Sequence, residues 1–469
     1  MKVRRLIAVF AVLALVAAAC GDDDGGADDT TAAPTTSGAT SAPTTEPTGT
    51  TTPPTTDAPP DGLAYDVGFD EASGTISLGV LAAAPGGPIP DIGQSVLDGH
   101  RVYWDKVNAE GGVAGQYPVE LEVRDNEYSA DVSVVVYNEI KDGVLAFSST
   151  LGTPTTAAIF EDAATANILI AAGSLASQWA LTSNVILNLA ADTYFAQFSN
   201  GAYWAAEVAD PAVITADSVV GIVYQADDYG ADCKGGYDLA QTNLSFNAAY
   251  EATYAATDTD FSAQIGGAQA AGVDVLFVCA LPTALATMIG TAAAIQYAPA
   301  VFGSSPSYNV ALPGALGGGD EAAGVGLFNS FPYYNLGTSA PWESDEPGMV
   351  TMREDRDTYG ADVPDGNINA FFYFGYTQAA TFHQILETAV ANGDITRAGL
   401  LAAVDATTGI DLGVGLGVGG YGPTPQERVP VNATGIGTIT SVSERAFGIE
   451  PLGEPVEAPW LADWDPAGG

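Results

Sequence analysis

The run Val144-Leu145-Ala146-Phe147-Ser148-Ser149-Thr150-Leu151-Gly152-Thr153-Pro154-Thr155-Thr156 decides how this chain folds. It begins as a short apolar stretch, which suits a strand buried on both faces of a parallel sheet. It then turns small and polar. Thr153 is a good helix N-cap, Pro154 fits the first helical position, and 157–166 can continue as a helix. A strand that ends where a helix begins aims free backbone N–H groups and the positive end of a helix dipole at one spot. In open α/β sheets, ligands sit at the carboxyl ends of strands. Leu151, Gly152 and Thr153 therefore read as a ligand-facing edge.

The pattern repeats on both sides of this run. Ile76, Leu78 and Val80 mark a first strand, and 91–110 fits a helix with Ile92, Val96, Tyr103 and Val107 on one face. Val119, Leu121 and Val123 alternate as a second strand, 130–141 fits a helix, and 167–171 fits a strand ending in Gly173-Ser174. This is a doubly wound α/β lobe with parallel neighbours. A second α/β lobe follows. Strands are expected at 219–224, 273–279, 301–303 and 324–330. Helices are expected at 262–271, 282–293, 349–359, 368–391 and 396–406. Residues 409–450 are Gly-, Val- and Thr-rich and read as hairpins or loops, and 451–469 as a tail.

The chain of 469 residues exceeds what one core usually supports, so two lobes are expected. Its 13 basic and 57 acidic residues give a net charge of −44. That balance argues against nucleic acid or an anionic membrane surface as partner, because both call for a basic face. Eight of the acids lie within 21–61, so most belong to the folded part. A self-repelling acidic surface should be steadied by salt; a melting temperature that stays flat or falls as NaCl rises would refute this.

Residues 1–20 read as an export leader. Lys2, Arg4 and Arg5 open it, 6–16 form an apolar core, and Ala17-Ala18-Ala19 precede Cys20. The apolar run is short for a membrane span. A cysteine after small residues is similar to a bacterial lipoprotein signal, in which the new N-terminal cysteine carries lipid; Ala17 stands where that signal more often has Leu. Residues 21–62 are rich in Asp, Thr, Pro, Ser and Ala, and read as a disordered tether.

Several segments together resemble the Leu/Ile/Val-type solute-binding proteins of ABC importers, with the type I periplasmic-binding-protein fold. They are Gly79-Val80-Leu81 through Gly93-Gln94-Ser95, Val107-Asn108-Ala109-Glu110-Gly111-Gly112-Val113-Ala114-Gly115, and Thr150 to Thr155. Asp228-Tyr229-Gly230 and Asp258-Thr259-Asp260-Phe261-Ser262-Ala263-Gln264 continue the series, and the likeness covers most of 75–408. The resemblance implies two lobes, 75–189 with about 331–408 and 190–330 with about 409–450, joined by a three-strand hinge. It implies a ligand held between lobes that close by hinge motion, and delivery to a membrane permease. Under it, Ile92 falls where the family often has an aromatic near the ligand. Leu151, Gly152, Thr153, Gly173 and Ser174 fall on first-lobe loops that bond a carboxylate or equivalent acceptor. Tyr229 closes over the ligand, and Ala280 and Ser305 fall on the remaining second-lobe loops.

Ser305 departs from the amino-acid binders, which tend to carry an acid there for the α-ammonium. A serine cannot offset a buried positive charge. An amide, a neutral polar compound or a small carboxylate is therefore favoured over a plain branched-chain amino acid, unless Asp227 or Asp228 supplies the charge. Cys233 and Cys279 are either bridged, as an exported chain permits, or separate thiols.

Gly415 to Gly420 matches a dinucleotide fingerprint, but Tyr421-Gly422-Pro423-Thr424-Pro425 breaks the helix such a site needs. His100 and His383 both fall inside expected helices, and no nucleophile elbow or metal-ligand spacing accompanies them. Phe371 to Tyr376 reads as core. The expectation is a monomeric, lipid-anchored, extracytoplasmic importer subunit with no cofactor and no catalytic chemistry. A sensor subunit with the same fold is the alternative, and a secreted hydrolase the weaker one.

Overall fold

The computed structural model describes residues 62–82, 89–187, 191–337, 341–410, 421–429, 431–439 and 449–467, the side chains of Pro90 and Asp91 excepted. The expected leader with Cys20, the tether up to residue 61 and the 415–420 glycine run lie outside the described residues.

The chain opens with β1 (Ala64–Tyr65), β2 (Phe69–Asp70), β3 (Thr75–Ala82), α1 (Pro90–Ala109), β4 (Val119–Asp125) and α2 (Ala130–Ile140). β5 (Ala146–Leu151), α3 (Thr153–Thr165), β6 (Ile170–Gly173) and β7 (Val185–Ile186) complete this stretch. There follow α4 (Tyr194–Tyr203), β8 (Val219–Gln225), α5 (Asp228–Leu244), β9 (Asn247–Tyr254), α6 (Ser262–Ala270) and β10 (Val275–Cys279). Next come α7 (Pro282–Ala294), β11 (Ala300–Gly303), α8 (Leu312–Leu316), α9 (Glu321–Phe328) and β12 (Tyr333–Leu336). The chain continues through α10 (Pro347–Tyr359), α11 (Ala370–Ala391), β13 (Asp394–Ile395) and α12 (Arg397–Ala406), then β14 (Ile436–Ile439) and β15 (Ile449–Pro451).

Two sheets result. In one, β3 lies between β4 and β5, with β6 and β7 beyond β5, all parallel, and β2 pairs antiparallel to β3. In the other the order is β15-β14-β12-β11-β10-β8-β9, parallel from β12 to β9 and antiparallel at β14 and β15. β5 is buried at every residue, as its run of apolar and small side chains requires. α11 returns to pack on α1 and β5, which places it with the first sheet. Glycines allow that close crossing: a Cβ on Gly99 would lie 2.1 Å from the Phe372 carbonyl oxygen, and one on Gly375 2.0 Å from that of Val96. His100 sits at the same seam, its Nε2 2.8 Å from Ser148 Oγ and its Nδ1 3.3 Å from the Gly375 oxygen. Burial pushes its pKa down to about 4, so it is a neutral structural link.

The chain thus passes between the sheets three times, near Asp192, near Gly337 and near Thr434. Two local readings differ from the sequence. Residues 324–330 are not a strand; α9 runs through most of them, started by the Asp320 side chain accepting from Ala323 N–H, and the strand follows at Tyr333–Leu336. α3 begins at Thr153 itself, and Gly152, at φ +107°, takes the cap position. Residues after 451 are also anchored: Trp464 stacks on Phe195 with centroids 4.4 Å apart, and Trp460 Nε1 donates to Ser199 Oγ at 2.7 Å.

Candidate functional site

The carboxyl ends of β5 and β6 on one side, and of β8 and β11 on the other, open onto one crevice. It is lined by Ile89, Ile92, Val96, Tyr128, Leu151, Gly152, Thr153, Gly173 and Leu175 from the first lobe, and by Tyr194, Gln197, Tyr229, Leu281, Ser305 and Tyr308 from the second. Asp192, Gly337, Val431 and Gly435 floor it at the crossovers, and Phe371, Tyr373 and Phe374 reach in from the start of α11. The enclosed cavity is about 120 Å³. No lysine, arginine or histidine is among its described lining residues.

Seven of the nine sequence-read ligand positions line the crevice: Ile92, Leu151, Gly152, Thr153, Gly173, Tyr229 and Ser305. Ser174 and Ala280 stand one layer behind. Ser174 Oγ accepts from Trp179 Nε1 at 3.0 Å and from Ala176 N–H at 3.3 Å, and lies 2.7 Å from Thr153 Oγ1. With both acceptor positions filled, the Ser174 hydroxyl donates to Thr153. The Thr153 hydroxyl is then left to donate onward, toward Tyr194 or a ligand acceptor. One backbone N–H and a buried indole therefore turn Thr153 into an oriented donor. Ala280 acts through its carbonyl, which accepts from the Tyr229 hydroxyl at 3.1 Å; Leu281, one residue on, lines the crevice instead.

Tyr229 is fixed by its own lobe. Its hydroxyl is 2.6 Å from Ser304 Oγ, which is 2.8 Å from Ser307 Oγ. Its ring meets Tyr194 edge-on at 4.7 Å. Burial holds it neutral, far above the ordinary phenol range. A Cβ on Gly230 would lie 1.8 Å from the Gln225 oxygen, so only glycine lets α5 start this close to β8 and place Tyr229 there. Cys233, one turn later, is joined to Cys279 at the end of β10, S–S 2.00 Å and Cα–Cα 6.3 Å.

Ser305 is turned to the hinge. Its N–H donates to Gln197 Oε1 at 2.9 Å, and its Oγ accepts from Gln197 Nε2 at 3.0 Å. Neither Asp227 nor Asp228 lines the crevice. Asp227 caps α5, accepting from Tyr229 and Gly230 N–H at 3.1 and 3.2 Å. The acid that does line it is Asp192, which sequence reading missed. It lies on an irregular crossover with no periodicity to mark it. Its side chain is 5% exposed and accepts from the Thr434 hydroxyl, with Gln197 Nε2 at 3.4 Å. With no cation beside it, burial pushes its pKa up to about 7. All three crossovers meet at this carboxylate: a Cβ on Gly337 would come within 3.2 Å of Asp192 Oδ1. Phe371, Tyr373 and Phe374, read as core, in fact form part of the crevice wall. Tyr128, Gln197, Leu281, Tyr308 and Asn335 were also missed; they become neighbours only when two sheets face each other.

No group of three or more metal-ligating side chains occurs among the described residues. No described helix is long and apolar enough to cross a membrane.

Two facing parallel-sheet lobes, joined by three crossovers and meeting over a crevice at their strand ends, define a type I periplasmic-binding-protein architecture. Residues 75–432 match a family described as periplasmic binding protein, and the chain belongs to it. It is structurally similar to a fatty acid ABC transporter substrate-binding protein from Thermomonospora curvata, at 24% identity and TM-score 0.74, covering 87% of this chain and 98% of that one. A branched chain amino acid ABC transporter protein from Thermus thermophilus with bound valine shares 16% identity at TM-score 0.68, covering 84% and 98%. A possible leucine/isoleucine/valine-binding protein from Rhodopirellula baltica shares 20% identity at TM-score 0.65, covering 85% and 98%. No curated protein sequence matches the chain.

Proposed function

We propose that this chain is the solute-binding subunit of an ABC importer, held outside the cytoplasmic membrane by lipid on Cys20. It takes a small ligand with a largely apolar body and one acceptor head, an amide or a carboxylate. The observation that carries this is the donor chain from Trp179 and Ala176 through Ser174 to Thr153, set at the rim of a largely apolar crevice. Aliphatic and aromatic side chains line the body of the site, and burying such a ligand is favourable by about 25 cal/mol per Å² of apolar surface. Among the structural neighbours, one is titled a fatty acid binder and another is titled with bound valine, so this architecture takes apolar-bodied acids in more than one form. Of the ligand chemistries the sequence allows, the amide and the carboxylate fit a donor rim; an amino acid would additionally have to place its ammonium at Asp192.

Closure works by population shift, since a ligand that touches both lobes binds the closed form better than the open one. The reading is tested by thermal shift with straight-chain carboxylates of four to twelve carbons, the matching amides, the matching alkylamines, and leucine. A ligand at 100 times its dissociation constant should add about 2.7 kcal/mol of stability. Shifts from the carboxylates or amides support the reading. Shifts confined to alkylamines or leucine would refute the assignment of an acceptor head.

A further inference from the structure

The turn between β4 and α2 carries two consecutive non-glycine residues in the left-handed region, Glu127 at φ +51° and Tyr128 at φ +52°. Left-handed backbone is unfavourable for such residues and persists only where surroundings hold it. Here the hold is specific. Glu127 N–H donates to Asp125 Oδ1 at 2.7 Å, and Tyr128 N–H donates to Asn126 Oδ1 at 3.0 Å. Asn126 is fully buried, and its Nδ2 donates to the Leu151 carbonyl at 2.8 Å, tying the turn to the ligand-facing end of β5. The result is a phenol ring laid over Gly152: a Cβ added there would come 2.7 Å from the Tyr128 ring.

From that position Tyr128 reaches across the crevice. It lines the cavity, and its hydroxyl approaches Gln225, which ends β8 in the opposite lobe. Gln225 is itself fixed, with Nε2 donating to Asp227 Oδ2 at 2.5 Å and Oε1 accepting from Tyr254 at 3.4 Å. Burial and the nearby Asp227 carboxylate keep the phenol un-ionised. Ser177 to Asp232 and Gln178 to Asp228 also join the lobes at this seam, through residues that do not line the cavity.

We infer that Tyr128 is a closure-determining residue of the binding site, roofing the ligand at Gly152 while its hydroxyl latches the first lobe to Gln225 of the second. This goes beyond the importer reading and does not depend on the ligand's identity, because the latch joins protein to protein.

The test reads lobe separation directly, without ligand. Nitroxide labels are placed on V135C in α2 and I295C after α7, both at exposed positions, in the full chain carrying Cys20→Ser. Pulsed electron–electron resonance then compares the parent with Tyr128→Phe and Tyr128→Ala. The parent should show a short-distance population. Tyr128→Phe keeps the ring and loses the latch, so its closed-to-open ratio should fall roughly fivefold, as loss of one net hydrogen bond implies. Tyr128→Ala should fall at least as far. Thermal melts of the three proteins verify folding. Superimposable distance distributions in all three, or a parent lacking the short distance, would overturn the inference.

Discussion

Replacing Asp192 by asparagine should change how stability depends on pH, and the size of the effect follows from where the carboxyl sits. It lies in the hinge, 5% exposed, with hydroxyl and amide partners and no cation, and its pKa rises from 3.8 to about 7. The folded protein therefore keeps a proton that the unfolded chain releases. Stability from this group is fully present below pH 4 and is lost as pH rises through 7. The total loss is about 4 kcal/mol above pH 7, of which about 1.4 kcal/mol falls between pH 6 and pH 8. Asp232, pushed to about 6 by burial, adds about 0.4 kcal/mol of the same sign in that window.

The buried histidines work in the opposite direction. His100, at about 4 when folded, stays neutral while the unfolded chain's imidazole takes up a proton below pH 6.5. It therefore removes about 0.8 kcal/mol as pH falls from 8 to 6. His383 is lowered too, by burial first and despite Glu387. The parent curve alone will consequently fall less steeply with pH than the two carboxyls by themselves would make it. The informative quantity is the difference between parent and Asp192→Asn in urea unfolding at pH 6 and pH 8. An asparagine carbonyl can still accept from Thr434 and does not titrate. The variant's advantage should be about 1.4 kcal/mol larger at pH 8 than at pH 6. A difference that is equal at the two pH values, or larger at pH 6, would refute the assignment of a raised hinge carboxyl.

Thr153→Ala should weaken binding of whichever carboxylate or amide scores in the thermal-shift series by about tenfold to a hundredfold, the range for a hydrogen bond to a charged acceptor. Thr153→Ser should retain most of it, and calorimetry showing equal affinities for both variants would contradict the donor role. Reducing the Cys233–Cys279 bridge, which closes a separation of 46 residues, should cost about 4 kcal/mol if it acts on the unfolded chain. An unchanged urea midpoint after reduction and alkylation would show that it does not.

Alternation and turn chemistry carried much of the fold. The run from Val144 to Thr156 announced a buried strand feeding a helix, and β5 and α3 lie there. The readings that failed share a cause. Residues 324–330 are apolar and small, which suits either element, and the Asp320 cap with its following Glu321-Ala322-Ala323 decided for helix. Aromatics at 371–374 were assigned to the interior because one helix turn cannot say what faces it; packing of α11 against α1 turned part of that turn into crevice wall. Ser305 lines the crevice as read, and its hydrogen bonds go to Gln197, a partner that local sequence does not reveal.

Local sequence therefore determined which segments become strands and helices, and which strand ends carry small, polar, ligand-competent loops, because those preferences are settled within a few residues of the chain. Only the tertiary structure decided what stands opposite them. Asp192 gained its displaced ionisation from burial at the meeting of three crossovers, and Tyr128 its partner across the crevice. Both depend on residues from about a hundred to more than two hundred positions away, and no window of sequence contains the dielectric or the neighbour that sets them.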